Sequence, residues 1–188
     1  MRLRILATWA AVALGWACAA HADTRVVPID AVRVIDNGQG AYRALLRIGP
    51  IEGLSEMAIS RAYLAVSTAR RGGETEPLEL QVQPISHDWV PEAVSWTAGW
   101  SRPGGDFHDE LYSRAAIDPS ELGQEAQIDV EAMVREMRHG TPCFGFVVTA
   151  LPYQQLGLRS ADVQRLPGLS NPRLVIEYEP MPLVVVPR

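Results

Sequence analysis

Two short stretches of the chain bring together imidazole and carboxylate side chains, the groups that bind metals or transfer protons. They are the pairs His87 with Asp88 and His108 with Asp109. Such groups are common ligands of zinc and calcium. However, their spacing matches no defined metal motif, and scattered surface histidines and acids are far commoner than metal sites. We therefore predict no metal site and no cofactor, and keep these four residues as weak candidates.

The same region contains carboxylates that could be nominated for the cleavage of a glycosidic bond. That reaction needs two carboxyl groups at a fixed separation in a cleft. The candidates are Glu92, Asp106, Asp109 and Glu110. Nothing in the sequence selects a pair among them, and the Gly-x-Ser-x-Gly motif of many hydrolases is absent. We expect no catalytic residue, so a polysaccharide-degrading enzyme is the weakest interpretation.

Aromatic and arginine side chains in loop-like sequence form another kind of candidate site. Sugar rings stack on Trp and Tyr, while nearby polar groups take their hydroxyls. The planar fork of Arg pairs with carboxylates of acidic sugars. The carbohydrate-binding candidates are Trp100, Arg102, Tyr112, Tyr153 and Arg159. By contrast, we expect Trp89 and Trp96 to pack in the core of the domain.

The first 22 residues have the features of a secretory signal peptide. Arg2 and Arg4 precede an uncharged stretch, residues 5–20, and the small-x-small pattern of signal peptidase ends at Ala22. Ala and Gly fill much of the stretch, which makes it less apolar than a spanning helix. We predict cleavage after Ala22, a secreted or periplasmic protein and no membrane span after cleavage. An uncleaved membrane anchor is the alternative.

Composition and charge limit what the mature chain can be. Removal of residues 1–22 leaves 166 residues, enough for a single domain over residues 23–188 with one core. The formal net charge then moves from −5 to −7, because two arginines are removed, and this argues against nucleic acid as a partner. Cys143 becomes the only cysteine, so no internal disulfide can form, and its apolar neighbours predict a buried thiol.

Beyond Asp23 the dominant pattern is two-residue alternation, which indicates β-strands. Residues 78–83 alternate without exception, which predicts Leu78, Leu80 and Val82 facing the core and the three polar residues facing water. Similar runs, separated by segments rich in Gly, Pro, Ser and Asn, cover residues 42–48, 59–67, 144–151, 156–160 and 173–178. The pattern predicts an all-β protein, an antiparallel β-sandwich.

One segment departs from this pattern and follows a helical period. Val130, Met133, Val134 and Met137 are spaced at i, i+3, i+4 and i+7, and Gly140 follows shortly after. This spacing places apolar side chains on one face of a helix, and the glycine favours its end. We predict two helical turns over residues 130–137 that cover one end of the core.

Several short motifs, taken in order, resemble the DNRLRE domain family. Residues 43–48 and 59–64 are similar to its opening strands. The middle blocks, residues 89–96 and 103–107, are similar to its W-x-E-x-x-V-T-W and P-G-G-D-F stretches, and residues 129–140 to its D-V-T-x-x-V-x-x-W-x-x-G block. The resemblance spans about Val32 to Pro180. It departs from the family in lacking the name-giving hexapeptide and in having Met137 where Trp is usual.

This resemblance implies a secreted jelly-roll sandwich of the kind found in bacterial surface proteins, some of whose relatives bind alginate or other polysaccharides without catalysis. We therefore expect an exported, non-catalytic module that binds polysaccharide or acts at the cell surface. The alternative is a structural or protein-binding envelope protein without a sugar site. Arginines such as Arg102 and Arg159 would serve an acidic polysaccharide only as a local patch, because the whole domain is acidic.

Overall fold

The computed structural model describes residues 22–39, 41–67, 77–121, 124–151 and 170–181. These residues form eight β-strands, one α-helix and two short 3-10 turns. The strands are β1 (Asp23–Asp36), β2 (Tyr42–Ile48), β3 (Met57–Ser67), β4 (Leu78–Pro84), β5 (Ser113–Ile117), β6 (Glu125–Asp129), β7 (Gly145–Ala150) and β8 (Ser170–Pro180), and the helix is α1 (Glu131–Arg138). Within these ranges no helix is long and apolar enough to cross a membrane.

All of the strand pairs are antiparallel, and the strands form two layers. The eight strands follow one continuous order, β5-β4-β7-β2-β1-β8-β3-β6. We divide it into sheet A, β1-β8-β3-β6, and sheet B, β2-β7-β4-β5. The layers are joined because the first half of β1 pairs with β8 and its second half pairs with β2, with an irregularity between Ile29 and Ala31. Two such sheets of four strands make a jelly roll. The predicted all-β antiparallel sandwich is confirmed.

The main hydrophobic core lies between the two sheets and is built from alternate residues of each strand. In β4, Leu78, Leu80 and Val82 are buried, as predicted, while Glu79 is exposed. Gln83 was predicted to face water, and this is wrong, because it is only 6 % exposed. The chain that follows β4 folds back over part of the outer face of sheet B and covers that part.

Helix α1 closes one end of this core, close to where the sequence predicted it. Met133 and Val134 are buried, which matches the apolar face of the helix. The backbone N–H of Glu131 donates to Asp129 Oδ1 at 2.9 Å, so one of the free N–H groups of the first turn is satisfied. After the helix, Gly140 has a φ of 95°, a left-handed conformation that glycine adopts readily.

Three strands were not predicted, namely β1, β5 and β6. The last two are five residues each, with two Ala in β5 and Ala, Glu and Asp in β6, and they lie at the outer edges of sheets B and A. Such residues are depleted in strands. β1 changes sheets halfway, so no single alternation runs along it, and only Val27 and Ile35 in it are buried. Residues 1–21 and the strand predicted at residues 156–160 lie outside the described part of the chain.

Candidate functional site

The long connection between β4 and β5, residues 85–112, crosses the outer face of sheet B, and we call it the strap. It is attached through a second hydrophobic cluster that is separate from the main core. The buried members of that cluster are Ile35, Leu45, Ile85, Trp89, Val94 and Val147, with Trp96, Trp100, Phe107 and Phe144 packed against them. As expected, Trp89 and Trp96 are therefore structural rings. The strap carries or borders every site candidate that the structure describes.

Arg43, on the outer face of β2, holds the middle of the strap. Its guanidinium lies between two aromatic rings, 4.8 Å from the centroid of Trp96 and 4.9 Å from that of Phe107. It also donates to the backbone carbonyl of Gly104. Burial lowers the pKa of Arg43, Arg102 lowers it further, and Asp109 partly offsets both. Nevertheless an arginine stays charged at any ordinary pH, so Arg43 is a half-buried cation whose main partners are rings.

Arg102 was predicted to bind sugar, but its donors are used within the strap. Two nitrogens form a bidentate pair with Asp109, at 2.7 and 2.9 Å, and Nη2 also donates to the Phe107 carbonyl at 2.9 Å. Nε donates to the carbonyl of Gly105 at 3.2 Å. The hydrogen bond from Arg102 lowers the pKa of Asp109, and the same bond raises the pKa of Arg102. The ion pair and these hydrogen bonds hold residues 102–109, near the C-terminal end of the strap, in one conformation.

The nominated acids do not resemble a catalytic pair. Asp106 is 7 % exposed, and its carboxylate accepts from Ser101, from the backbone N–H at 2.8 Å and from Oγ at 2.6 Å. Burial alone would raise the pKa of Asp106, but these bonds outweigh it and the pKa is lowered. A general acid needs a raised carboxyl pKa instead. Glu92 and Glu110 are exposed.

An open depression of about 370 Å³ lies on the strap. It is lined by Ser86, His87, Ser101, Arg102, Asp106, Phe107 and Asp109. It brings together only two of the four weak metal candidates, His87 and Asp109. Asp88 pairs instead with Arg47 at 3.0 Å, and His108 Nε2 lies 3.1 Å from the carbonyl of Pro142. Among the residues described here, no three His, Cys, Asp or Glu side chains are grouped to hold a metal ion.

The aromatic candidates separate into a structural ring and an exposed one. Trp100 is half-buried, with its ring 6.2 Å from that of Trp89, and its Nε1 donates to the carbonyl of Ser95 at 2.8 Å. Tyr112 is 51 % exposed and is the only aromatic residue among the large hydrophobic side chains exposed in the described ranges. Tyr153 and Arg159 lie outside those ranges.

A chain of hydrogen bonds starts beside Tyr112 and runs across the outer face of sheet B. The Arg114 guanidinium lies 5.2 Å from the Tyr112 ring centroid, and its Nε donates to Gln81 Oε1 at 3.1 Å. Gln81 Nε2 donates to Gln83 Oε1 at 2.9 Å, and Gln83 Nε2 donates to the carbonyl of His108 at 3.3 Å. We call Tyr112, Arg114, Gln81 and Gln83 the Tyr112 platform.

Sequence reasoning missed three of these four residues. The alternation of residues 78–83 already placed Gln81 and Gln83 on the face opposite Leu80 and Val82. Arg114 could have been found only from the register, because it lies opposite Gln81 in the β4–β5 ladder. In a strand, residues two apart share a face, so Tyr112-x-Arg114 was the local signal.

Cys143 lies next to Ile85, the first residue of the strap. Burial raises the pKa of its thiol to about 11, although hydrogen bonds with the backbone of Gly145 and Ile85 act in the opposite direction. The residue as a whole keeps some exposure, but the sulfur is enclosed and Sγ donates to the Gly145 carbonyl at 3.2 Å. A thiol with so high a pKa is a poor nucleophile at neutral pH.

Comparison with known proteins adds no family to this description. No known protein-family model matches the chain, and no curated protein matches it. The motifs that resemble the DNRLRE domain fall on β2, on β3, on the strap and on the segment from β6 to α1. The resemblance therefore remains a prediction.

Proposed function

We propose that this protein is an exported, non-catalytic module that binds polysaccharide on the outer face of sheet B, at the Tyr112 platform. One observation carries the proposal, namely the exposed ring of Tyr112 beside a row of polar side chains. A sugar offers an apolar face that stacks on such a ring and hydroxyls that bond to the neighbouring groups. Stacking on Tyr112 and hydrogen bonds to Arg114 are within reach of one ligand at this place. Gln83 is buried and supports the row from beneath, through its bonds to Gln81 and to the His108 carbonyl.

Arg114 adds the hydrogen-bonding capacity that the proposal needs. It is exposed, and among the described residues it forms no ion pair. Only its Nε has a protein partner there, the Oε1 of Gln81, whereas a guanidinium has five N–H donors. The remaining donors are available to ligand oxygens. The bond to Gln81 also orients the guanidinium, which reduces the entropy lost when a ligand binds.

The state of the carboxylates supports binding without cleavage. Asp106 and Asp109 have lowered pKa values and are committed to Ser101 and Arg102. A retaining or inverting hydrolase requires one carboxyl group that is protonated near neutral pH. Neither of these two acids is suited to that role.

Export is supported by the position of the predicted cleavage site relative to the fold. β1 begins at Asp23, the residue after Ala22, and Asp23 is already paired with Tyr178 of β8. Cleavage after Ala22 would therefore leave the β1–β8 ladder intact. We accordingly place the mature protein in the periplasm or outside the cell.

The test is retention of residues 23–188 on a panel of insoluble or immobilised polysaccharides, with an assay for released reducing sugar. We expect retention without release, and we expect Tyr112→Ala to weaken it about tenfold, or ~1.4 kcal/mol. Tyr63→Ala is the matched control, because Tyr63 has its own arginine, Arg61, at 4.6 Å, on the outer face of sheet A. Circular dichroism of each variant verifies the fold.

Each result has a distinct meaning for the proposal. Release of sugar would overturn the non-catalytic assignment. Retention that Tyr112→Ala leaves unchanged would mean that the ligand binds elsewhere. An absence of retention on every polysaccharide would favour the second candidate function below.

That second candidate is a structural or protein-binding role, and a specific feature of β1 favours it. Residues 31–36 pair with β2 on one side, and in the described part of the chain no strand pairs with their other side. Val32 and Val34 in this segment are 45 % and 52 % exposed. An exposed apolar strand edge is a template for pairing with another chain.

The edge can be tested by a charge placed on it. Val34→Lys should abolish any concentration-dependent association measured by sedimentation. Val90→Lys is the matched control, because Val90 is 58 % exposed but lies in the strap, outside the described strands. A wild-type protein that stays monomeric and captures no envelope protein would remove this candidate.

A further inference from the structure

The turn between β1 and β2 contains an asparagine followed by a glycine, Asn37 and Gly38. A side-chain amide in this position can be attacked by the next main-chain nitrogen, which closes a five-membered succinimide ring and expels ammonia. Gly38 is exposed, and even a Cβ added to it would meet no atom within 4 Å. Glycine itself carries no side chain that could hinder the approach of its nitrogen to Cγ of Asn37.

The groups around this turn match the needs of that reaction. The N–H of Gly38 donates to Asp36 Oδ1 at 2.9 Å, so a carboxylate lies next to the proton that must leave. Asn37 Oδ1 accepts from the backbone N–H groups of Gln39 and Ala41, at 2.8 and 2.9 Å. Two donors on this oxygen stabilise the negative charge that develops there during attack, as in an oxyanion hole.

From this geometry we propose that Asn37 is a self-modification site, which the turn converts to aspartate and isoaspartate. Asp36 takes the proton from the Gly38 nitrogen, and that nitrogen forms a bond to Asn37 Cγ. The bond from Cγ to Nδ2 then breaks, and Nδ2 leaves as ammonia with the transferred proton. Water opens the ring at either carbonyl, so water is the only other reactant.

The product changes the hairpin between β1 and β2. Either product adds one negative charge to the turn, and isoaspartate also adds one carbon to the main chain. Asp36 and Tyr42, on either side of the turn, are paired in the β1–β2 ladder. The longer main chain therefore lies directly at the end of this ladder.

The chain provides an internal control, because its only other asparagine, Asn171, precedes Pro172. A proline nitrogen carries no hydrogen and cannot become the nucleophile. The folded protein is incubated at mildly alkaline pH, and its peptides are mapped by mass spectrometry with an isoaspartate-specific methyltransferase. We expect conversion at Asn37 and none at Asn171. If Asn37 stayed unconverted throughout the incubation, the proposal would be overturned.

Two variants distinguish the contribution of the folded turn to the rate from that of the Asn37-Gly38 sequence alone. Asp36→Asn keeps an oxygen acceptor but removes the base, and should slow conversion of Asn37 roughly tenfold or more, since general-base catalysis contributes about 10²- to 10⁴-fold. Asp30→Asn, elsewhere in β1, should leave the rate unchanged. Equal rates in wild type and Asp36→Asn would show that the carboxylate has no role and would overturn the assignment. The position of the mass change identifies which amide has reacted.

Discussion

The strap and the Tyr112 platform both place arginines against aromatic rings on the outer face of sheet B, but they differ in what the guanidinium groups have left to donate. In the strap, Arg102 donates to one carboxylate and two carbonyls, and Arg43 is held between two rings. On the platform, Arg114 has one protein partner among the described residues. The same residue types therefore stabilise the fold in one region and present free donors in the other.

This difference has a physical origin in the partners that surround each guanidinium. Arg43 is half-buried and has lost part of its water, so its partners lie within the protein. Arg102 is exposed, but the carboxylate of Asp109 and the carbonyls of Gly105 and Phe107 lie within hydrogen-bond distance of its donors. Arg114 is also exposed and has one neutral partner, so it can exchange its water for ligand oxygens. Proximity of Arg and Trp in a sequence is thus a weak guide to a binding site, because the protein partners of the guanidinium decide between the two roles.

We expect the largest loss of stability when Arg43, which holds the middle of the strap, is replaced. Arg43→Ala removes two cation–π contacts and a charged hydrogen bond to Gly104, and should lower the free energy of unfolding by about 2–3 kcal/mol. Urea denaturation followed by tryptophan fluorescence measures it, because Trp96 reports on the strap. A loss below about 0.5 kcal/mol, typical of a surface position, would contradict the structural role.

We expect a smaller loss of stability, and one that depends on pH, when Asp106 is replaced. Asp106→Asn cannot accept both bonds from Ser101, and should cost about 1–2 kcal/mol at neutral pH. The pKa of Asp106 is lowered by folding, so its carboxylate stabilises the protein above the ordinary Asp pKa of about 3.9, and this stabilisation is lost as pH falls through the lowered value.

The pH dependence of this stabilisation is checked by urea denaturation. The midpoints of wild type and Asp106→Asn are measured from neutral to acid pH. The two stabilities should converge below about pH 4, whereas Glu92→Gln, an exposed acid of the strap, should follow wild type throughout. A constant difference across the whole range would mean that the charge of Asp106 has no part in holding the strap.

The smallest effect on stability is expected on the platform. Arg114→Ala should change the free energy of unfolding by less than about 0.5 kcal/mol, because the side chain is exposed and its single bond is to a neutral amide. The same variant should weaken retention on the polysaccharide that binds wild type. Arg61→Ala, on sheet A, is the matched control. A large loss of stability in Arg114→Ala would place this arginine with those of the strap.

The parts of the fold that sequence predicted correctly share a strong, uninterrupted period. Residues 78–83 alternate throughout and form β4, and the spacing of Met133 and Val134 gave the buried face of α1. β1 could not be found in this way, because the face that turns inward depends on which sheet it is in. β5 and β6 are edge strands whose Ala and Glu residues bury little.

The candidate site was less predictable, for a reason that follows from geometry. Tyr112 was nominated because it lies in loop-like sequence, and its ring is exposed, but its glutamine neighbours come from β4 and meet Arg114 only through the β4–β5 register. The engagement of Arg102 with Asp109 depends on how the strap closes, which no periodic signal encodes. Contacts between elements that are irregular in sequence are set by tertiary packing.

The pairing of β8 with both β1 and β3 has a consequence for the order of folding. β8 contains residues 170–180 and lies between those strands in sheet A, so its partners include Asp23, far earlier in the sequence. Contacts of such sequence separation form slowly. During synthesis, sheet A stays split at its centre until β8 has left the ribosome, and premature termination before β8 exposes the facing edges of β1 and β3 to aggregation.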